Sequence, residues 1–84
     1  MLDRSGQEIK MGDYILYLVK KYNFAEIAFA RVMMIKDKTC TVQAWDNQYG
    51  EFKLSRLRAN ERILVIPQDL IPKEEYTMLR SVRP

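Results

Sequence analysis

Apolar positions along this chain fall into five short stretches, each set off by turn-forming residues. Tyr14 to Val19 carries Ile15, Tyr17 and Val19 on one face of a strand and Tyr14, Leu16 and Leu18 on the other. Continuous apolar character of this kind means burial on two sides. Met11-Gly12-Asp13 forms the turn that feeds it, and Asp3-Arg4-Ser5-Gly6-Gln7 reads as an earlier tight turn in which Gly6 takes positive φ. Residues 26–35 read as a second strand, with Ala28, Ala30, Val32 and Met34 on one face and Ile27, Phe29, Arg31, Met33 and Ile35 on the other. A helix over 24–35 competes with it. The strand is favoured because Ile35-Lys36-Asp37-Lys38-Thr39 looks like a hairpin turn between two β-rich runs. Lys20-Lys21-Tyr22-Asn23-Phe24, before it, reads as a loop mixing charge with aromatic rings.

The third strand, 39–46, alternates cleanly, with Cys40, Val42 and Ala44 inward and Thr41, Gln43 and Trp45 outward. Asp46 to Gly50 turns the chain into a fourth strand, 52–57, where Phe52 and Leu54 are expected to resume the inward face. Ser55-Arg56-Leu57 shifts the apolar register by one, which predicts a bulge. Ala59-Asn60-Glu61 turns again, and 62–66 is the last strand, ended by Pro67 because proline cannot donate to the ladder. Five short strands in so small a chain predict a small closed or half-closed β-barrel. The tail then changes character. Pro72 opens a helix running to about Val82, with Glu74 and Glu75 near its start and Arg80 and Arg83 near its end, as the helix dipole favours. Ile71, Tyr76, Leu79 and Val82 give it an apolar side, expected to cover the outer face of strand one. The organisation read here is one domain, a barrel over residues 1–72 with a docked helix over 73–84.

Gly12-Asp13-Tyr14-Ile15-Leu16-Tyr17, then Ala30-Arg31-Val32-Met33-Met34-Ile35 and Thr41-Val42-Gln43-Ala44-Trp45, resemble SH3-like small barrels of the KOW and Tudor type over roughly residues 9–66. The opening Asp3-Arg4-Ser5-Gly6-Gln7-Glu8-Ile9 also resembles small phage-encoded accessory proteins. The first resemblance implies a mainly β, five-stranded SH3-like barrel with a short C-terminal helix, and a binding module for nucleic acid or for a partner protein. Nucleic-acid-binding members usually carry glycines in the loop after the first strand, whereas Lys20-Lys21-Tyr22-Asn23-Phe24-Ala25 has none.

Composition narrows the chemistry. With 48% hydrophobic residues in 84, the chain can build a core. There is no histidine, and the lone Cys40 has no such partner to activate it, so Cys40 reads as a small core residue. Neither catalysis nor a metal or cofactor is expected. No apolar run approaches the ~20 residues of a membrane span, no secretion signal is visible, and a single cysteine suits a reducing cytoplasm. A phage origin would make that the host cytoplasm. Lys and Arg number 14 against 11 acidic residues, a mild excess of +3.

The candidate site is basic and aromatic. Lys20, Lys21, Lys53, Arg56 and Arg58 are expected on the phosphates of DNA or RNA, with Tyr22 and Trp45 stacking on bases. Pairing of strands three and four should bring Trp45 beside Lys53. The alternative is an adaptor that binds a partner protein. Strands one and two carry more apolar surface than one short helix covers, which predicts a homodimer or partner interface centred on Phe29 or Met33.

Overall fold

The computed structural model describes residues 1–21, 24–58 and 62–83, with Lys20, Lys21 and Phe24 described by backbone alone. Five antiparallel strands form one sheet: β1 (Tyr14–Lys21), β2 (Phe24–Lys36), β3 (Thr39–Asp46), β4 (Glu51–Arg58) and β5 (Ile63–Val65). Its order is β4-β3-β2-β1-β5. A 3-10 turn at Gln68–Leu70 leads into α1 (Lys73–Leu79). The mainly β class with a single short C-terminal helix is as the sequence predicts.

The expected closure into a barrel does not occur. β4 and β5 are the two edges of an open sheet. The free edge of β5 is occupied by the N-terminal turn: Arg4 N–H donates to the Ile63 carbonyl at 2.9 Å, and Val65 N–H donates to the Asp3 carboxylate at 2.8 Å. A carboxylate and a backbone amide therefore satisfy the groups that β4 would have to pair.

One face of the sheet carries the core. Ile15 and Tyr17 of β1, Ala30 and Val32 of β2, Cys40 and Val42 of β3, and Ile63 of β5 cluster with Ile9 of the N-terminal segment. Ile35, Leu57 and Val65 pack against them. This is the face read from the alternation in β1 and β3, and Cys40 sits in it with its thiol pKa pushed up by burial.

Two face assignments are corrected. The bulge lies in β2, between Val32 and Met34, and not in β4, whose register against β3 is unbroken. Past that bulge the faces exchange, so Ile35 turns toward the core and Met34 is exposed. In β4, Phe52 lies opposite Trp45 and Leu54 opposite Gln43, so both take the outer face and Leu54 is 68% exposed. Lys53, Ser55 and Leu57 share the inner face with Ala44, Val42 and Cys40. The strands also run further into the predicted 20–24 loop, with Lys21 paired to Phe24. The Ala59-Asn60-Glu61 turn lies outside the described residues.

The outer face is covered in part by the C-terminal segment. Ile71, Leu79 and Val82 are buried, and Tyr76 packs on Tyr14 with ring centroids 5.7 Å apart. Arg31 pins this layer: Nε donates to the Gly12 carbonyl, NH1 donates to the Val82 carbonyl, and the guanidinium lies 5.0 Å from the Tyr14 ring. The helix is shorter than predicted, ending at Leu79. The Ser81 hydroxyl and the Ser81 amide both donate to the Met78 carbonyl, which closes the last turn.

Asp3 ties the N-terminus down. It is buried, and one carboxylate oxygen accepts from the Ser5 amide and hydroxyl and from the Gln7 amide, while the other accepts from Val65. Burial opposes its ionisation, but the hydrogen bonds from Val65, Ser5 and Gln7 outweigh that and hold the carboxyl below its ordinary range.

Candidate nucleic-acid interface

The residues expected to form one footprint are spread over the sheet. Trp45 and Lys53 do not meet, because Lys53 lies opposite Ala44 on the inner face while Trp45 lies opposite Phe52 on the outer one. Trp45 is half-buried and edge-on to Phe52, with ring centroids 4.9 Å apart, so its faces are not an open stacking platform. The ammonium group of Lys53 is 2.7 Å from Asp46 and 5.2 Å from the centre of the Tyr49 ring. That hydrogen bond raises the Lys53 pKa and lowers that of Asp46. Lys20 and Lys21 end β1, at the opposite end of β2 from the β2–β3 turn. Tyr22 lies outside the described residues, as do the side chains of Lys20 and Lys21.

Arg56 lines a cleft with partners the sequence reading missed, and Arg58 stands two residues further along β4 on the same face. The β2–β3 hairpin closes through Asp37 and Lys38, with Asp37 at φ 51, a conformation Asp tolerates better than most residues. This sets Lys36 opposite Thr39, which pairs on its other side with Arg58, and Met34 opposite Thr41, which pairs with Arg56. Two cross-strand rows therefore run over the outer face at this end of the sheet. Strands lie about 4.8 Å apart, so Lys36 and Arg58 stand about 10 Å apart across β3. Arg56 and Arg58 are about 7 Å apart along β4.

Beside Arg58 is an open cleft of about 680 Å³ lined by Met34, Lys36, Lys38, Thr39, Thr41 and Arg56, with Asp37 the single carboxylate on it among the described residues. Lys36, Lys38 and Arg58 are exposed and Arg56 is too, and none of the four makes an ion pair among the described residues. The arrangement offers unpaired cations, the Thr41 hydroxyl and a thioether on one shallow surface. Lys36 and Lys38 were legible from the hairpin register, since the same turn that sets β3 places Lys36 in line with Thr39 and Arg58.

The interface residues expected for self-association are also separated. Phe29 lies half-buried opposite Leu16 on the outer face, beside the exposed cross-strand pair Leu18 and Ile27. Met33 sits at the bulge, and Ile35 has turned to the core. Tyr14 is taken up by Tyr76.

Set against known protein families, curated protein sequences and solved structures, the chain matches none. Among the described residues no helix is long and apolar enough to cross a membrane.

Proposed function

We propose that this chain is a small nucleic-acid-binding module that grips the phosphate backbone through Lys36, Lys38, Arg56 and Arg58. The observation that carries this reading is the row geometry at the β2–β3 end: cations from β2, the turn and β4 share one open cleft and have no ion-pair partners among the described residues. Thr41 adds a hydroxyl that can donate to a phosphate oxygen, while the Thr39 hydroxyl already donates to the Lys36 carbonyl at 3.0 Å. The resemblance to KOW-type modules points the same way. Among the described residues no aromatic ring lines the cleft, so the contacts are to the backbone, with little sequence discrimination. An electrophoretic shift with a duplex DNA oligonucleotide at low salt tests this. Lys36→Ala/Arg56→Ala should weaken binding, and Lys53→Ala should not. An unshifted duplex, or equal loss from both variants, removes the reading.

A second reading has its own observation. Leu18 and Ile27 face each other across β1 and β2 and are 40% and 60% exposed. An apolar cross-strand pair left in water at that level favours contact with a second copy of the chain, flanked by Leu16 and Phe29. Sedimentation at rising concentration tests it: a dimer that Ile27→Glu disperses supports it, and a monomer throughout excludes it.

A further inference from the structure

The two edges of the sheet are finished differently. The edge of β5 is closed by the N-terminal turn, through Arg4 and Asp3. On β4, the side away from β3 makes no backbone hydrogen bond among the described residues. An open edge is a row of amides and carbonyls ready to take another strand, and proteins commonly blunt it with proline, a bulge, an inward lysine or a short strand. β4 is eight residues long, contains no proline and keeps an unbroken register on β3. Lys53 is an inward lysine of that kind, but its ammonium group is turned back onto Asp46 of β3 at 2.7 Å. The outer face of the edge adds an apolar contact, since Leu54 is 68% exposed.

The strand Glu51-Phe52-Lys53-Leu54-Ser55-Arg56-Leu57-Arg58 is complementary to itself in one antiparallel register. A two-fold axis between two antiparallel edges sets one residue opposite its own copy, and every other pair follows. With Lys53 on the axis two ammonium groups would oppose each other, and with Arg56 there two guanidinium groups would. Like charges directly opposite are destabilising. Ser55 on the axis would set each exposed Leu54 against an arginine, Arg56 of the other copy. Leu54 on the axis sets leucine against leucine and Phe52 against Arg56 on either side of it. The Phe52 ring is half-buried and met edge-on by Trp45 from β3, which leaves its side toward the open edge for a guanidinium. Lys53 then lies opposite Ser55, and Glu51 opposite Leu57, with no like charges in direct opposition.

We infer that β4 pairs with β4 of a second copy of this chain, antiparallel and with Leu54 opposite Leu54, joining the two five-stranded sheets into one. The axis stands perpendicular to the sheet, which keeps both outer faces on the same side. At ~3.4 Å per residue the two Arg56 residues are about 14 Å apart along the strands, and both basic clefts open onto that common face. The pairing does not rest on DNA binding and would stand if the basic cleft bound nothing. It is also separate from Leu18 and Ile27, which lie on β1 and β2.

Sedimentation at rising concentration should show a dimer. Leu54 is exposed in the single chain, so Leu54→Lys should keep the circular dichroism of the parent. It should weaken self-association by about tenfold or more, since it opposes two cations on the axis. Ile27→Glu should leave self-association unchanged. The register is read by cysteine, because directly opposite Cα atoms of antiparallel strands are about 4.5–5.5 Å apart, within reach of a disulfide, and the native Cys40 is buried. Leu54→Cys should form a covalent dimer on mild oxidation. Arg58→Cys, equally placed on the outer face but about 27 Å from its copy along the strands, should not. A monomer at every concentration, a dimer dispersed by Ile27→Glu and not by Leu54→Lys, or equal cross-linking at positions 54 and 58 would overturn the inference.

Discussion

The two ends of the sheet differ in how their charges are paired. At the β2–β3 turn, Lys36, Lys38 and Arg56 line a cleft with one carboxylate, Asp37, among the described residues. At the other end, Asp46 holds Lys53 and Glu75 accepts from the Asn47 side chain. The chain as a whole is only mildly basic at +3, so its overall charge says little about either end. What separates them is pairing. Lys53 is held on Asp46 at 2.7 Å and contributes little positive field beyond it, whereas the cations at the far end have no such partner among the described residues. Partner selectivity follows from where charges are left unpaired, more than from how many there are.

Reversing charge at the basic end should have the largest effect. Lys36→Glu/Arg56→Glu replaces attraction by repulsion at two points and should weaken duplex DNA binding by about a hundredfold at low salt. The circular dichroism of the double variant should match that of the parent; a lost β signal would mean that the variant misfolds.

Stability depends on neither end. Asp3→Ala strands the amides of Val65, Ser5 and Gln7 and should cost about 3 kcal/mol in urea unfolding. The pH dependence has a definite sign. The Asp3 carboxyl pKa is lowered on folding, so its stabilisation is complete well above the ordinary carboxylate pKa of about 3.9. It is lost as pH falls below that value toward the folded-state pKa. Unfolding midpoints measured across this range should fall in the parent and flatten in Asp3→Asn.

Arg31→Ala sharpens the comparison further, because it removes the anchor of the C-terminal segment. It should cost about 2 kcal/mol and loosen the C-terminal segment while leaving the basic cleft intact. Hydrogen exchange should quicken across Tyr76 to Val82. The smallest effect is expected from Lys53→Ala, which should leave DNA affinity within about twofold, since an exposed ion pair contributes little.

Much of this architecture was legible in the residues. The third strand, its inward Cys40-Val42-Ala44 face and the turns around it follow from alternation and turn chemistry, and they stand as read. The errors have one origin: a one-residue slip moves every side chain to the other face. The β2 bulge at Met33 follows no Gly or Pro, so nothing local marks it. In β4, hydrophobicity placed Phe52 and Leu54 inward, but the Asp46–Gly50 turn sets the register and sends them outward. That slip also separated Trp45 from Lys53 and dispersed the expected site. Asp3 was legible as a turn residue, but its bond to Val65 was not, because sequence gives no hint of a contact over 62 positions.

The salt dependence of duplex DNA binding tests the assignment of the basic end most directly. Contacts from Lys36, Lys38, Arg56 and Arg58 should give a slope of roughly −3.5 in log affinity against log salt, and Arg56→Ala/Arg58→Ala should reduce its magnitude by about 2. A slope near zero, or one that the double variant leaves unchanged, would show that these cations do not hold the phosphate backbone.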